Sequence, residues 1–203
     1  MRYIIMAAGK GTRWNNHLGV PKHLVKINEE TLLGRTTRLL KENGINDYVI
    51  TSEDPRYAQY GPIAAQTSND CEIDRFEESL VQDSVCYLYG DVYYTEEAIK
   101  TIVNTDTKDI QYFGSKYEIF AIKINQSFIQ SFFNIKNIIK QKYLSGEINR
   151  CIGWETYRYL HNIPFDEHII TDHYTYILDG TDDIDYPDDY ENFKQRMEEM
   201  NND

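Results

Sequence analysis

The chain has 203 residues, 41% of them hydrophobic, a length and apolar content that suit one domain with a sizeable core. No apolar run approaches the ~18 residues of a membrane span, and the short N-terminal run ends in Gly9-Lys10-Gly11 without a signal-peptide cleavage pattern, so no membrane association is expected and a cytoplasmic location is. A net charge of −12 speaks against a nucleic-acid surface, and three scattered cysteines (Cys71, Cys86, Cys151) support neither a disulfide framework nor a zinc site.

In chain order, residues 2–7 read as a strand buried on both faces, because apolar residues run on without alternation. Residues 8–22 read as a loop. Leu32, Leu33, Thr36, Leu39 and Leu40 recur at helical spacing between Thr31 and Asn43, and Gly44 supplies a stop. Asp47–Ser52 is a second strand. Strand, helix, strand implies a right-handed crossover in a mostly parallel sheet. Val85–Tyr89 is a further buried strand, ended by Gly90-Asp91. Thr95-Glu96-Glu97 opens a helix to Asn104, with a capping hydroxyl and acids that complement the dipole. Residues 110–113 and 119–124 form a strand pair around Gly114-Ser115. Asn125 caps a long helix to Tyr143, and residues 151–161 are helical. Residues 174–178 alternate as a late strand, and Pro187 starts a last helix to Met200. Asn201-Asn202-Asp203 is expected to fray.

Charge is unevenly placed. Residues 1–28 hold Arg2, Lys10, Arg13, Lys22 and Lys26 and no acid, whereas the remaining residues hold the other 16 basic side chains and all 33 acids. A local cationic patch on an acidic protein suits a small anionic ligand better than a polyanion. The patch coincides with an abrupt change of texture: Ile4-Ile5-Met6 runs into Ala7-Ala8-Gly9-Lys10-Gly11-Thr12-Arg13, and Pro21-Lys22 follows. Glycines let backbone N–H groups approach phosphate oxygens, and Arg13 and Lys22 add charge. This predicts a loop that wraps the phosphates of a nucleoside triphosphate. The spacing is neither a Rossmann fingerprint, which needs a third glycine, nor a P-loop.

The whole set resembles the nucleotidyltransferase superfamily, which makes nucleotide-sugars, CDP-choline-type compounds and related activated molecules. Leu24–Asn28 followed by Leu32-Leu33-Gly34-Arg35 is similar to its strand, turn and helix after Pro-Lys. Tyr89-Gly90-Asp91-Val92 resembles the strand end that carries a metal-binding aspartate. Residues 183–189 resemble its late Asp-x-Pro-x-Asp segment. The resemblance covers nearly the whole chain and implies an α/β fold: one domain over 1–203, a mixed, mostly parallel twisted sheet flanked by helices on both faces, Rossmann-like. Residues 1–110 would form the NTP-binding half, and 111–203 the acceptor half with the second metal ligand.

The roles implied are these. Ala7, Ala8, Gly9, Lys10, Gly11 and Thr12 hold the triphosphate, Arg13 grips the β- and γ-phosphates, and Lys22 offsets charge at the α-phosphate. Asp91 and Asp185 hold Mg2+, with Asp183 as the alternative to Asp185. Asn69 and Ser79 border the nucleobase, and Lys123 and Glu155, beside Trp154, face the acceptor. Trp14 is a candidate lid residue, and His17 and His23 are loop residues beside Lys22. The reaction implied is Mg2+-dependent transfer of a nucleotidyl group from an NTP to a phosphorylated small molecule, a sugar 1-phosphate or phosphocholine-like compound, for surface polysaccharide or related synthesis. A phosphate acceptor is already ionised near neutral pH, its second pKa being about 6, and so needs no catalytic base. Two rivals stay open: a glycosyltransferase of related fold, since Asp183-Ile184-Asp185 is formally D-x-D, and a non-catalytic nucleotide-binding domain. No nucleic-acid partner is expected, and a homodimer is left open.

Overall fold

The computed structural model describes residues 1–202; Asp203, and with it the end of the expected fray, lies outside the described residues. In chain order the elements are strand β1 (Arg2–Met6), the short hairpin β2 (Lys26–Ile27) and β3 (Glu30–Thr31), helix α1 (Leu32–Glu42), β4 (Tyr48–Thr51), β5 (Ile63–Ala64), β6 (Val85–Tyr89) and β7 (Val92–Tyr93). Helix α2 (Glu96–Asn104), β8 (Ile110–Gly114), β9 (Ile119–Ile124), α3 (Ile129–Leu144) and α4 (Gly153–Leu160) follow, then β10 (Tyr174–Tyr176), β11 (Asp182–Asp183) and α5 (Pro187–Asn202).

Seven strands form one sheet in the order β10-β8-β9-β6-β1-β4-β5. All neighbours pair in parallel except β9, which runs antiparallel to both β6 and β8. The expected mixed, mostly parallel sheet is therefore present, and helices cover both of its faces. Tyr3, Ile5, Ile50 and Leu88 pack with Leu33 and Leu40 of α1 and Ile99 and Ile102 of α2. Ile4, Met6, Val49 and Tyr87 pack on the other face with Phe132 and Phe133 of α3 and Trp154 and Tyr157 of α4. Cover on both faces is why β1 reads as an unbroken apolar run.

Two threonines cap their helices, Thr95 as read from the sequence and Thr31 in addition. Thr31 Oγ accepts from the Gly34 amide at 2.9 Å, and Thr95 Oγ from the Ala98 amide at 3.0 Å. Asn125 caps a single 3-10 turn (Gln126–Phe128) whose end leads into α3, so that helix begins three residues later than the cap suggests. The scattered cysteines conceal a spatial pair: Cys71 and Cys151 meet at Sγ–Sγ 2.8 Å, and all three thiols are free. No helix among the described residues is long and apolar enough to cross a membrane.

A third apolar cluster joins the chain ends. Trp14, Val25 and Ile27 from the N-terminal segment pack with Ile184, Tyr190 and Phe193 from the last fifty residues. Trp14, the candidate lid residue, belongs to this anchor. It is 2% exposed, its indole donates to the Val20 carbonyl at 2.7 Å, and its ring meets Tyr190 edge-on.

Candidate active site

The parallel strands β1, β4 and β6 end at one edge of the sheet, and the chain leaves that edge through the two segments singled out in the sequence. β1 runs out into Ala7–Arg13. β6 runs out into Gly90-Asp91, where Gly90 is required because a Cβ there would lie 2.7 Å from the Met6 carbonyl oxygen. A groove follows this edge. Its first part, about 460 Å3, is lined by residues 7–11 of the glycine loop, by Lys22 and His23, and by Ser52, Asp54, Tyr57, Gln66 and Asn69 from the ends of β4 and β5. It continues past Thr12, Arg13, Glu72 and Arg75. Beyond them it meets Tyr89, Asp91, Glu118, Trp154, Asp183 and Asp185.

Asp91 and Asp185 stand 94 positions apart and are brought together by a two-stranded antiparallel ribbon. β7 pairs with β11, setting Val92 opposite Asp183, and the Ile184 amide donates to the Asp91 carbonyl at 2.9 Å. The Asp189 carboxylate then accepts from the Asp185 and Tyr186 amides at 3.1 and 2.7 Å, fixing the turn into α5. Lys22 arrives from the opposite wall on a 3-10 turn after Pro21. Its Nζ contacts Asp91 Oδ2 and lies 2.8 Å from Asp185 Oδ1, while Arg13 Nη1 lies 2.6 Å from Asp185 Oδ2.

The ionisation of these groups follows from burial and neighbours. Burial alone would raise the Asp91 carboxyl, but Lys22 and, more weakly, the other nearby cations outweigh it and hold it at about 2. Burial would lower the Lys22 ammonium, and the two aspartates raise it instead. At Asp183 and Glu118 carboxylates outnumber cations: burial and then repulsion, chiefly from Glu118, push Asp183 up to about 8, while burial and then repulsion from Asp185 and Glu72 push Glu118 up to about 7, with Arg13 offsetting part of the latter shift. This end of the groove is therefore short of positive charge. The carboxylates of Asp91 and Asp185 converge on a single cation, the Lys22 ammonium, and both offer hard oxygen donors. No cluster of three or more protein ligands is found among the described residues. That donor set fits Mg2+, which characteristically takes one or two carboxylates and completes its shell with water and phosphate oxygens.

Of the residues singled out in the sequence, Ala7, Ala8, Gly9, Lys10, Gly11, Thr12, Arg13, Lys22, Asn69, Asp91 and Asp185 are gathered along this groove. Asn69 donates to the Ala8 carbonyl at 2.6 Å and so braces the loop. Three expectations are corrected. Lys123 is on β9, the one strand that runs backwards, so it lies opposite Cys86 near the start of β6, at the far edge of the sheet. There its ammonium donates to the carbonyls of Ile102, Val103 and Thr105 at 3.0, 3.0 and 2.7 Å, closing the C-terminus of α2. Glu155 follows Trp154 on α4 and is turned about 100° away from it. Its Oε1 pairs with Arg158 at 3.1 Å and Arg150 at 3.3 Å, outside the groove. Ser79 is exposed and turned back onto Glu77 Oε1, which it contacts at 2.7 Å.

His23 is buried, and its Nδ1 meets the Tyr57 hydroxyl at 2.8 Å. Burial pushes its pKa down to about 3, so it is neutral at pH 7. His17 lies 3.8 Å from Glu191. The sequence reading missed Ser52, Asp54, Tyr57 and Gln66 on the first part of the groove and Glu72, Arg75 and Glu118 on the rest. Their signal was topological, since Ser52 ends a strand read from the sequence as part of the parallel sheet. Ligands gather at the carboxyl ends of such strands.

Residues 3–105, just over half of the chain, match the model of the MobA-like NTP transferase domain. The chain belongs to that family. A stretch of 57 residues, 28% of this chain, is 42% identical to the bifunctional IPC transferase and DIPP synthase of Thermococcus kodakarensis, and the match spans 12% of that protein's length. The fold is shared with the CTP:phosphocholine cytidylyltransferase of Streptococcus pneumoniae (TM-score 0.62, 15% identity, 97% of this chain and 98% of that one). It is shared also with the inositol-1-phosphate CTP transferase of T. maritima (TM-score 0.63, 13% identity, 93% and 90%). As an NTP transferase by family, the chain has its glycine loop and Asp91 inside the matched region, and Asp185 outside it.

Proposed function

We propose that this NTP transferase moves a nucleoside monophosphate from an NTP to the phosphate of a small phosphorylated acceptor, with Mg2+, and releases pyrophosphate. The observation that carries the reading is Lys22 Nζ seated between Asp91 and Asp185 beside the glycine loop. An acceptor phosphate oxygen forms a bond to the α-phosphorus as the bond from that phosphorus to the β-bridging oxygen breaks, and the electron pair leaves with pyrophosphate. Negative charge builds on the α-phosphoryl oxygens and on the leaving group, so catalysis is chiefly positioning and neutralisation. Lys22 is placed to meet the first charge. Arg13, with its planar fork, is placed to meet the second. A bound Mg2+, held by Asp91 and Asp185, supplies further neutralisation at phosphate oxygens.

Ser52, Asp54, Tyr57 and Gln66 form the wall left for the nucleoside, so we assign the base to that end. The acceptor is assigned to the end bearing Glu118, Trp154 and Asp183. The nucleotide then belongs to residues 1–110, and the acceptor to a wall drawn chiefly from 111–203. The test is pyrophosphate release with each of four NTPs, Mg2+ and a panel of sugar 1-phosphates, phosphocholine and inositol phosphate. Release with one NTP and one acceptor class is expected. Silence across the panel, or sugar transfer from a nucleotide-sugar without pyrophosphate, overturns the proposal.

A further inference from the structure

Among the cations lining the groove, Arg75 differs from the rest of the inner set. Arg13 is paired with Asp185, and Lys22 with Asp91 and Asp185. Among the described residues Arg75 has no ion-pair partner within 4 Å, and its Nε is buried without a hydrogen bond. A guanidinium carries five donors, and leaving a buried one unmade costs free energy unless a ligand completes it.

The side chain is also aimed. Arg75 ends the 3-10 turn Glu72–Arg75, whose flanking residues Ile73 and Phe76 are fully buried. Asp74 pins the same turn: its carboxylate accepts from Lys140 Nζ at 2.7 Å, Ser68 Oγ at 2.9 Å and the Asp70 and Cys71 amides at 2.9 and 3.2 Å. The guanidinium therefore issues from a rigid base. It lies flat against the glycine loop, with Nη2 only 3.1 Å from where a Cβ on Gly9 would stand. Gly9 thus has a reason beyond phosphate approach, since a Cβ there would press on the Arg75 guanidinium. Arg75 lines the groove on both sides of the loop, toward Lys10–Arg13 and toward Tyr89, Asp91, Glu118 and Trp154. Its charge reaches Asp91 and helps to hold that carboxyl down.

We infer that Arg75 binds the phosphate of the acceptor at the seam between the two substrates. The inference rests on the proposed function and deepens it. A planar, unpaired guanidinium matches two oxygens of a phosphomonoester, and a dianion is the ligand that would satisfy the buried Nε. The triphosphate already has Arg13, Lys22 and the loop amides on its own side. The acceptor end, crowded with Glu72, Glu118 and Asp183, has Arg75 and Arg13 as its cationic side chains, and Arg13 is engaged with Asp185. Without Arg75 a phosphate entering there would face mainly carboxylates.

The experiment compares wild type, Arg75→Ala and Arg75→Lys in two measurements, after melting curves establish that each variant folds. The first is calorimetric titration with inorganic phosphate, which needs no turnover: roughly tenfold or greater weakening in Arg75→Ala is expected, in line with a lost charge-assisted bond. The second is steady-state kinetics with the acceptor that supports pyrophosphate release. There KM for the acceptor is expected to rise roughly 10- to 100-fold while KM for the NTP stays within about twofold, with Arg75→Lys recovering part of the loss. Unchanged phosphate binding overturns the inference. So does a rise confined to KM for the NTP, which would assign Arg75 to the triphosphate. If wild type releases no pyrophosphate with any acceptor, the proposed function fails, and the phosphate titration still decides whether Arg75 is an anion site.

Discussion

Replacing Lys22 tests the centre of the site through stability as well as rate. Its ammonium side chain is 8% exposed, and the Asp91 carboxylate that it contacts is 9% exposed. Lys22→Ala leaves that carboxylate buried without its main counter-charge, a change that costs about 3–5 kcal/mol in comparable buried pairs. Asp185 is less buried and keeps Arg13, so the lower end applies, about 3 kcal/mol. For a chain of this length about 1 kcal/mol moves Tm by about 2–4 °C, which predicts a metal-free Tm lower by about 6–12 °C. The same oxygens that release the ammonium become available to a divalent cation. Added Mg2+ should therefore raise Tm further in Lys22→Ala than in wild type, while turnover falls at least ~100-fold, the scale of one lost transition-state electrostatic contact. The assay is differential scanning fluorimetry with and without Mg2+, paired with pyrophosphate release. A metal-free Tm within 2 °C of wild type, or equal Mg2+ shifts in the two proteins, would refute the claim that Lys22 and a metal share one pair of carboxylates.

Two further outcomes are expected. Burial alone would raise the Asp74 carboxyl, but Lys140, Ser68 and the two loop amides outweigh it and hold it at about 2. A depressed carboxylate contributes stability that is complete above its ordinary value near 4 and lost as pH falls toward 2. Asp74 should therefore account for about 2 kcal/mol of acid-labile stability, and urea melts at pH 7 and pH 2 should show a smaller acid loss in Asp74→Asn; equal losses would argue against it. Lys123→Met should cost about 1–3 kcal/mol in urea unfolding, because three carbonyls at the end of α2 lose their donor, and should leave kcat/KM within about twofold. A large fall in kcat/KM at unchanged stability would return Lys123 to the acceptor site.

What could be read from the residues, and what could not, divides along physical lines. β1, β4 and β6 were legible because a strand covered on both faces must be apolar at every position. α1 was legible because its apolar residues recur at helical spacing up to Gly44, and α2 because Thr95 caps it by local chemistry. The glycine loop and Asp91 were legible because each directly follows such a strand. Lys123 misled because alternation reports which face a residue takes and says nothing of strand direction. With β9 reversed, a lysine on a central strand points to the wrong edge. Glu155 misled through helix phase, one position beyond a tryptophan that does reach the groove. Arg75 left no trace: its aim comes from Ile73, Asp74 and Phe76 gripping a four-residue turn, a tertiary arrangement without a sequence period.

The uneven charge of the chain has a structural meaning beyond ligand binding. The acid-free segment 1–28 lies against the acidic stretch that begins at Asp182. Arg13 and Lys22 meet Asp185, His17 approaches Glu191, and the Lys26 carbonyl accepts from the Tyr190 hydroxyl at 3.1 Å. The two ends neutralise each other through the same side chains that the proposed reaction uses. A triphosphate entering beside Arg13 and Lys22 competes with Asp185 for them, and a cation entering beside Asp91 competes with Lys22. Neither ligand alone relieves both competitions, because freeing the lysine exposes carboxylates, and occupying the carboxylates strands the lysine. Arrival of the anion and the cation together leaves every charge matched. That is a physical ground for expecting nucleotide and metal to bind this site with positive coupling.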